Sequence, residues 1–215
     1  MRNLTAVDFA AMGWANNAAY IAGIVAAQAT VYPKYGIKTA NRLAHMWAQF
    51  QHESGAGTEL VESLNYSAEA LRSQWPSHFS SEQASEYGRT GIHPANQPMI
   101  GLLAYGGRMG NAPYPSTDGY DFRGRGLIQT TGRDGYAKLA KITGLDLLHH
   151  PDMVNDPAHA LLCGVAEFVS YPNMLALCDA GNITHITKEI NGGIIGLADR
   201  IALTEKWLHY LGVTS

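Results

Sequence analysis

Apolar residues recur at intervals of three and four along most of the chain, which is the spacing of one face of a helix. The clearest example begins after Thr39, a residue suited to a helix N-cap, and runs to about His52. Its apolar face consists of Leu43, Met46, Trp47 and Phe50. The pattern predicts further helices at residues 5–30 (one or two), 67–75, 81–88, 99–105, 134–143, 156–170, 173–180, 183–190 and 197–211.

A stretch rich in glycine and proline interrupts this pattern at residues 89–121 and predicts a long loop around the helix at 99–105. Long loops inside a compact domain are usually functional. Residues 122–131 then favour a short strand or hairpin, in which alternation puts Gln129 and Thr131 on one face. The chain is therefore predicted to be mainly α (α+β), with a small β-hairpin element.

Composition is that of a globular protein. Of the 215 residues, 46% are hydrophobic and 15% are charged, which suits one domain, or one domain with two lobes. The net charge of −3 contains no basic excess, so no nucleic-acid partner is expected. The apolar segment at 18–31 is too short for a membrane span, so no stable membrane insertion is expected. The N-terminus shows no pattern of a secretory signal.

The cysteines and histidines predict neither a metal site nor a cofactor site. Cys163 and Cys178 are too few for a disulfide framework and are expected to be reduced and buried, with a single bridge as the alternative. His52-Glu53 begins like a zincin motif, but the second histidine that would complete the zinc site does not follow.

Glu53 is the most informative polar residue. It follows Phe50 by three positions and Met46 by seven, so it continues the apolar face at the C-terminal end of its helix. Poor hydration and the negative end of the helix dipole both disfavour a charged carboxylate there. A carboxyl group that keeps its proton is suited to general acid catalysis. The alternative is a frayed helix end with Glu53 in solvent.

Two further acidic residues, Glu59 and Glu62, follow the glycine turn that ends this helix. A second carboxylate near Glu53 could activate water, provided that the glycine turn folds the chain back. The alternative is that both are ordinary surface acids.

Polar side chains at three other places are candidate ligand contacts. Gln129 and Thr131 could hold an N-acetyl group or a water molecule, but a polar half-buried strand would explain them equally well. Asn191 stands before two glycines, as is also typical of a helix C-cap. Asp199 and Arg200 could form a simple surface pair.

Four motifs then occur in order: His52-Glu53-Ser54, Phe122-Arg-Gly-Arg-Gly-Leu-Ile-Gln-Thr-Thr-Gly132, Ile190-Asn-Gly-Gly193 and Asp199-Arg-Ile201. Together they resemble glycoside hydrolase family 19, which contains the plant-type chitinases and a group of phage endolysins. The resemblance runs across roughly residues 40–205. The stretch ESGAGTELVESLNYSAEAL is most similar to endolysins of phages of Gram-negative hosts.

The resemblance implies a lysozyme-like, two-lobed helical domain with a central cleft. It implies hydrolysis, with inversion, of a β-1,4 glycosidic bond beside an N-acetylated sugar. By matching motifs, Glu53 is the general acid, Glu62 is the general base and Thr131 holds the attacking water. The residues assigned to substrate binding are Gln129, Asn191, Tyr105 and Arg200, and Arg200 also tunes the acid. Residues 1–215 are expected to form a single catalytic domain with no separate cell-wall-binding domain.

The sequence departs from the chitinases at one point. In them an acidic residue follows the Asn-Gly-Gly turn and pairs with the arginine, whereas Ile194 and Ile195 occupy its place here. Arg200 is therefore expected to face either Glu53 or Glu167. An arginine close to Glu53 would favour the charged form of that carboxyl group.

These observations lead to the hypothesis of an endolysin-type glycosidase that cleaves the peptidoglycan backbone without a cofactor. A chitinase on the same fold is the nearest alternative. A third interpretation keeps the same enzyme activity but makes the protein a toxin that is delivered into rival bacteria. A non-catalytic saccharide-binding relative is the alternative from another class. The protein is expected to be a monomer, made in the host cytoplasm without a signal peptide, released by a holin-type protein and active on the cell wall in the periplasm.

Overall fold

The computed structural model describes residues 2–14 and 17–213, and helices dominate them. The described residues form α1 (Ala6–Ala11), α2 (Ala18–Lys34), α3 (Ala40–Glu53), α4 (Ala68–Gln74), α5 (Ser81–Tyr87), α6 (Gln97–Tyr105), α7 (Asp118–Asp121), α8 (Gly132–Thr143), α9 (Ala160–Ser170), α10 (Met174–Asp179), α11 (Ile183–Asn191) and α12 (Leu197–Tyr210). Short 3-10 turns lie at Gly55–Gly57 and Pro151–Asn155. The predicted mainly helical fold is confirmed, and the predicted helices agree with the observed ones apart from a few residues at their ends.

The chain forms two compact units. Unit 1 contains Met1–Leu60, Gly126–Gln129 and Asp152–Ser215, and unit 2 contains Val61–Arg125 and Thr130–Pro151. Each unit has a hydrophobic core of its own. That the whole chain acts as one catalytic domain stays a prediction.

Helix α3 runs through the core of unit 1. The apolar face predicted from its spacing is fully buried and consists of Leu43, Met46, Trp47 and Phe50. Aromatic rings meet Trp47 edge to face, with centroids 4.7 Å away for Phe9, 5.3 Å for Trp14 and 5.4 Å for Phe50. Close packing along this face fixes the helix and therefore fixes where it ends.

Both ends of α3 lie where the sequence placed them. The Thr39 side chain accepts a hydrogen bond from a backbone N–H of the first turn at 3.2 Å. The helix ends at Glu53, and the buried Ser54 hydroxyl donates to the Phe50 carbonyl at 2.6 Å. Residues 55–57 all have positive φ angles and turn the chain out of the helical path.

Unit 2 has a smaller core, to which α4, α5 and α6 contribute. It consists of Leu64, Leu71, Phe79, Ala84, Ile100 and Ala104. Ser67, Ser80 and Asn96 cap these three helices, each accepting a backbone hydrogen bond at 3.1–3.2 Å. In α6, Gly101 permits close packing of α7, because a Cβ there would lie 2.9 Å from the Cα of Tyr120.

The strand predicted at residues 122–131 does not form. Arg125 and Thr130 make an isolated antiparallel bridge around a tight turn. Gln129 has a φ of 57°, which belongs to a turn, so the alternation of an extended strand does not reach it. The predicted placement of Gln129 and Thr131 on one face of a strand is therefore wrong. Further isolated bridges join Val61 to Arg125 and Ser67 to Arg89.

The long loop predicted at residues 89–121 contains α6, as expected, and one short helix, α7, that the pattern did not indicate. Helix α7 has four residues, DGYD, and is too short for any hydrophobic period to show.

No helix among the described residues is long and apolar enough to cross a membrane. The described residues also contain no group of three or more histidine, cysteine or acidic side chains placed to hold a metal ion. Cys163 and Cys178 are buried free thiols, and burial raises the pKa of each to about 12. Neither thiol is therefore reactive at neutral pH.

His45 is a buried titratable group within α3. Its side chain is 1% exposed, and neither ring nitrogen has a hydrogen-bond partner among the described residues. Burial lowers the pKa of its imidazole to about 4. The unfolded chain takes up this proton near pH 6.5, whereas the folded protein does so only near pH 4. Stability is therefore lost as the pH falls through this window.

We expect the free energy of unfolding of the wild type to fall by about 2–3 kcal/mol more than that of His45→Leu between about pH 7 and about pH 4.5. Leucine has a similar volume and no titrating group. Urea denaturation of both proteins at both pH values measures the difference, and the other titrating groups cancel because both proteins share them. Equal pH dependence of the two proteins would contradict the prediction.

Candidate active site

Glu53, the last residue of α3, pairs with a buried arginine of α12. Arg200 donates from Nη2 to Glu53 Oε1 and from Nη1 to Gln49 Oε1. The side chain of Arg200 is 2% exposed and that of Glu53 is 18% exposed. Gln49 precedes Glu53 by about one helical turn, so both acceptors lie on the same face of α3. Of the two partners that the sequence allowed for Arg200, Glu53 and Glu167, the structure shows Glu53.

This ion pair changes the electrostatics expected for Glu53. The expectation from the sequence considered burial and the helix end, and the structure adds a guanidinium in direct contact with the carboxylate. Two alternatives were that Glu53 lies in solvent and that Asp199 and Arg200 form a surface pair. Neither fits the burial of Glu53 and Arg200.

A second polar link joins the same two helices. His52 Nδ1 lies 2.5 Å from Asp199 Oδ2. The imidazole packs on Gly196, where a Cβ would lie 2.5 Å from the ring and where φ is 72°. Successive residues of α12, Asp199 and Arg200, therefore bind successive residues of α3, His52 and Glu53.

Tyr171, which follows α9, is half-buried and lies within electrostatic range of Glu53. Burial raises its pKa, and the negative charges of Glu167 and Glu53 raise it further. The phenol therefore keeps its proton at neutral pH and is able to donate a hydrogen bond.

In unit 2, neutral donors hold the carboxylate of Glu62. The Tyr105 hydroxyl donates to Oε1 at 2.5 Å, and the backbone N–H of Gly124 donates to Oε2 at 3.0 Å. The backbone N–H of Glu62 donates in turn to the Gly124 carbonyl at 2.8 Å. Both oxygens act as acceptors, which suits an ionised carboxylate. Burial and the hydrogen bond to Glu62 raise the pKa of Tyr105, so Tyr105 remains the donor.

Buried Arg125 fixes the loop that carries Gly124. Its Nη1 donates to the Asp121 carbonyl at 2.5 Å and to the Tyr136 hydroxyl at 3.1 Å. The Tyr136 hydroxyl donates to the Arg123 carbonyl at 2.9 Å. These bonds hold the backbone on both sides of Gly124 and so keep its N–H directed at the carboxylate.

Gln129 and Thr131 stand on either side of the bridged residue Thr130, in different units. Gln129 Nε2 donates to the carbonyls of Glu59 at 2.9 Å and Gly126 at 3.0 Å, so this amide nitrogen holds a turn within unit 1. Thr131 is the N-cap residue of α8 in unit 2 and is half-buried, and its side chain makes no capping bond to that helix.

Asn191 is the exposed last residue of α11 in unit 1. The C-cap is the next residue, Gly192, with a φ of 69°. The loop that follows exposes 57% of Ile194 and 79% of Ile195. The Asn191 amide therefore faces solvent in the unbound protein, where a ligand could reach it.

The predicted site residues are thus divided between the units. Unit 1 contains Glu53, Gln129, Asn191 and Arg200, and unit 2 contains Glu62, Tyr105 and Thr131. Sequence reasoning missed Gln49, Tyr171 and the partnership of His52 with Asp199. A signal for Gln49 was present, because a glutamine four residues before Glu53 on a buried helix implies a buried polar partner. The hydroxyl of Tyr105 binds Glu62, and its predicted contact with substrate stays a prediction.

We expect Arg200→Met to lower the free energy of unfolding at neutral pH by about 2–4 kcal/mol, because it leaves Glu53 without its cation and Gln49 without its donor. Adding Glu53→Gln removes the uncompensated charge and should restore part of the loss. Urea denaturation of both single variants and of the double variant gives the coupling energy. Purely additive effects would contradict a direct pair.

The fold is similar to those of solved bacterial chitinases, although no family model matches the chain. Chitinase C from Streptomyces griseus HUT6037 superposes with a TM-score of 0.64 at 20% identity, over 96% of this chain and 91% of that chain. A bacterial family 19 chitinase superposes with a TM-score of 0.63 at 21% identity, over 99% of this chain and 97% of that chain. At such identities the similarity shows the fold alone.

Sequence relatives extend the comparison. An endochitinase of Arabidopsis thaliana is 41% identical over 81 residues, which is 37% of this chain and 28% of that protein. A glycosyl hydrolase family 19 domain-containing protein of Haemophilus influenzae is 33% identical over 184 residues, which is 85% of this chain and 86% of that protein. This similarity covers most of both chains and agrees with the motif order found in the sequence. The protein therefore belongs to glycoside hydrolase family 19.

Proposed function

We propose that this glycoside hydrolase cleaves β-1,4 bonds of the peptidoglycan backbone with inversion at the anomeric carbon. Glu53 acts as the general acid and Glu62 as the general base. The observation that carries the proposal is that each carboxylate is held by a dedicated donor of a different kind. Arg200 holds Glu53, whereas Tyr105 and the Gly124 N–H hold Glu62. Glycosidases need two carboxyl groups in different environments because the two have different roles.

In this mechanism the proton of Glu53 passes to the glycosidic oxygen as the bond to the anomeric carbon breaks. A water molecule attacks that carbon from the opposite face and gives its proton to Glu62. Thr131 positions the water, and Gln129 and Asn191 contact the sugar. Glu62 then releases its proton to solvent and Glu53 takes one up, which returns both carboxyl groups to their starting forms.

Neutral donors suit Glu62 to the role of base. Its carboxylate accepts from a phenol and a backbone N–H, so it is oriented without a cationic partner. The same contacts leave each oxygen with a second lone pair for a proton or a water molecule. The base is thus positioned without being neutralised.

The choice of peptidoglycan rests on the endolysin-like stretch at residues 53–71 and on the bacterial family 19 relative, whose length this chain matches. Chitin is the second candidate substrate, because relatives that match shorter parts of the chain are plant endochitinases. Both polymers offer β-1,4 bonds beside N-acetylated sugars. We propose that the protein acts as a monomer on the bacterial cell wall and reaches it through a holin-type protein.

We expect wild-type protein to release fragments of purified peptidoglycan that are cut between sugars, and Glu53→Gln to lose this activity by about 10²–10⁴-fold while it remains folded. Mass spectrometry identifies the fragments and shows from the reducing-end sugar which bond is cut. Glu59→Gln is the matched control, because Glu59 is an exposed carboxylate six residues further along and should be dispensable.

Three outcomes would change the conclusion. Full activity of Glu53→Gln would remove Glu53 from the role of acid. Cleavage of chitin oligomers with no cleavage of peptidoglycan would make the protein a chitinase. Binding of either glycan with no cleavage would leave a saccharide-binding protein.

We expect inversion to be visible directly, because the newly formed reducing end should appear first as the α-anomer in ¹H NMR spectra. Glu62→Ala should be slower by about 10²–10⁴-fold, and azide should restore its turnover as a nucleophile that needs no base. Azide should not rescue Glu53→Gln, which lacks the acid. A β-anomer as the first product would rule out the inverting mechanism.

A further inference from the structure

Helix α8 of unit 2 is capped by another segment instead of by its own N-cap residue. Thr131 has the extended backbone of an N-cap, with φ −135° and ψ 144°, yet its side chain makes no capping bond. The N–H of Arg133 donates to Asn111 Oδ1 at 2.8 Å, and the N–H of Asp134 donates to the Met109 carbonyl at 3.0 Å. These are backbone donors that the side chain of an N-cap residue usually satisfies.

The segment 109–111 is shaped for this contact. Met109 and Gly110 both have positive φ angles, 51° and 77°. A Cβ on Gly110 would lie 2.2 Å from Asp134 Oδ1, and a Cβ on Gly132 would lie 2.4 Å from the Met109 Cβ. Gly132 leaves no room for a side chain beside Met109, and the positive φ of Gly110 favours glycine there, so the loop and the start of α8 pack closely against each other.

The amide nitrogen of Asn111 is linked to Glu62, the proposed base, through Tyr105. Asn111 is 5% exposed, and its Nδ2 donates to the Tyr105 carbonyl at 3.0 Å. The Tyr105 hydroxyl donates to Glu62 Oε1 at 2.5 Å. One buried amide therefore bridges the residue that holds Glu62 and the first turn of the helix that follows Thr131.

We propose that Asn111 is a positioning residue. It holds Tyr105, and through Tyr105 the carboxylate of Glu62, at a fixed position relative to Thr131. The inference rests on the proposed function, in which Glu62 and Thr131 act on the same water molecule. Because Asn111 and Met109 cap α8, the helix does not need the Thr131 hydroxyl as its cap. Because both polar ends of the Asn111 amide are bonded within a buried site, a shift of either partner would break a buried hydrogen bond.

The test is Asn111→Asp. The carboxylate keeps an acceptor for the Arg133 N–H, but it replaces the donor to the Tyr105 carbonyl with a second oxygen. We expect kcat on peptidoglycan to fall by about ten- to a hundredfold while KM stays within about twofold, because the change moves the base and not the substrate contacts. Asn41→Asp is the matched control, since Asn41 makes the same kind of bond, from Nδ2 to the Cys178 carbonyl at 2.8 Å, in unit 1. It should leave kcat unchanged.

A double-mutant cycle separates positioning from a loss of stability. If Asn111 acts through Tyr105, Asn111→Asp should have little further effect on kcat in a Tyr105→Phe background. If it only stabilises the fold, the two changes should combine independently, and that result would overturn the proposal.

Amide hydrogen exchange gives a readout that does not depend on activity. In Asn111→Ala the Arg133 amide should exchange faster than in the wild type, whereas the amides in the middle of α8 should not. Unchanged exchange at Arg133 would contradict the claim that Asn111 caps α8. Faster exchange with an unchanged kcat would contradict the claim that Asn111 positions Glu62 for catalysis. A wild type that cleaves neither glycan would instead refute the proposed function and, with it, the role of Asn111 in catalysis.

Discussion

A buried guanidinium must find acceptors, and this requirement determines much of unit 1. Arg200 carries five N–H donors and no acceptor, and leaving such a charge buried without partners would cost several kcal/mol. Its acceptors, Gln49 and Glu53, lie on one face of α3. The pair therefore fixes α12 along α3, and Trp207 of α12 adds a bond of 2.9 Å to Gln51 Oε1. Glu53 owes its fixed position to this packing and not only to its place at the helix end.

The two carboxylates illustrate two ways of orienting an acidic group. Glu53 is oriented by the full positive charge of Arg200. Glu62 is oriented by a phenol and a backbone N–H, which hold it without neutralising it. The acidic residue that accompanies the arginine in the chitinases is replaced here by Ile194 and Ile195. Gln49, which is neutral, is instead the second acceptor of Arg200.

In unit 2, backbone groups take part directly in holding Glu62 and in capping α8. The N–H of Gly124 binds Glu62 directly, and the loop that carries it is held by Arg125. The segment 109–111 caps α8 through a side-chain oxygen and a carbonyl. At the cap of α8, the positive φ angles of Met109, Gly110 and Gly132 show that tight turns are needed for this contact.

The sequence by itself determined the helices, because their periodicity and caps depend on local backbone geometry. Thr39 and the apolar positions of α3 placed Glu53 at the C-terminal end of its helix, and four motifs in order indicated the family. The partners of the acidic residues could not be obtained in this way. Arg200 and Glu53 are 147 positions apart, and Tyr105 and Glu62 are 43 apart, so only tertiary packing decides that they meet. The turn at Gln129 was misjudged for a related reason. Alternating residues indicate a strand only while the backbone stays extended, and tertiary contacts, here its bonds to the Glu59 and Gly126 carbonyls, support a left-handed conformation instead.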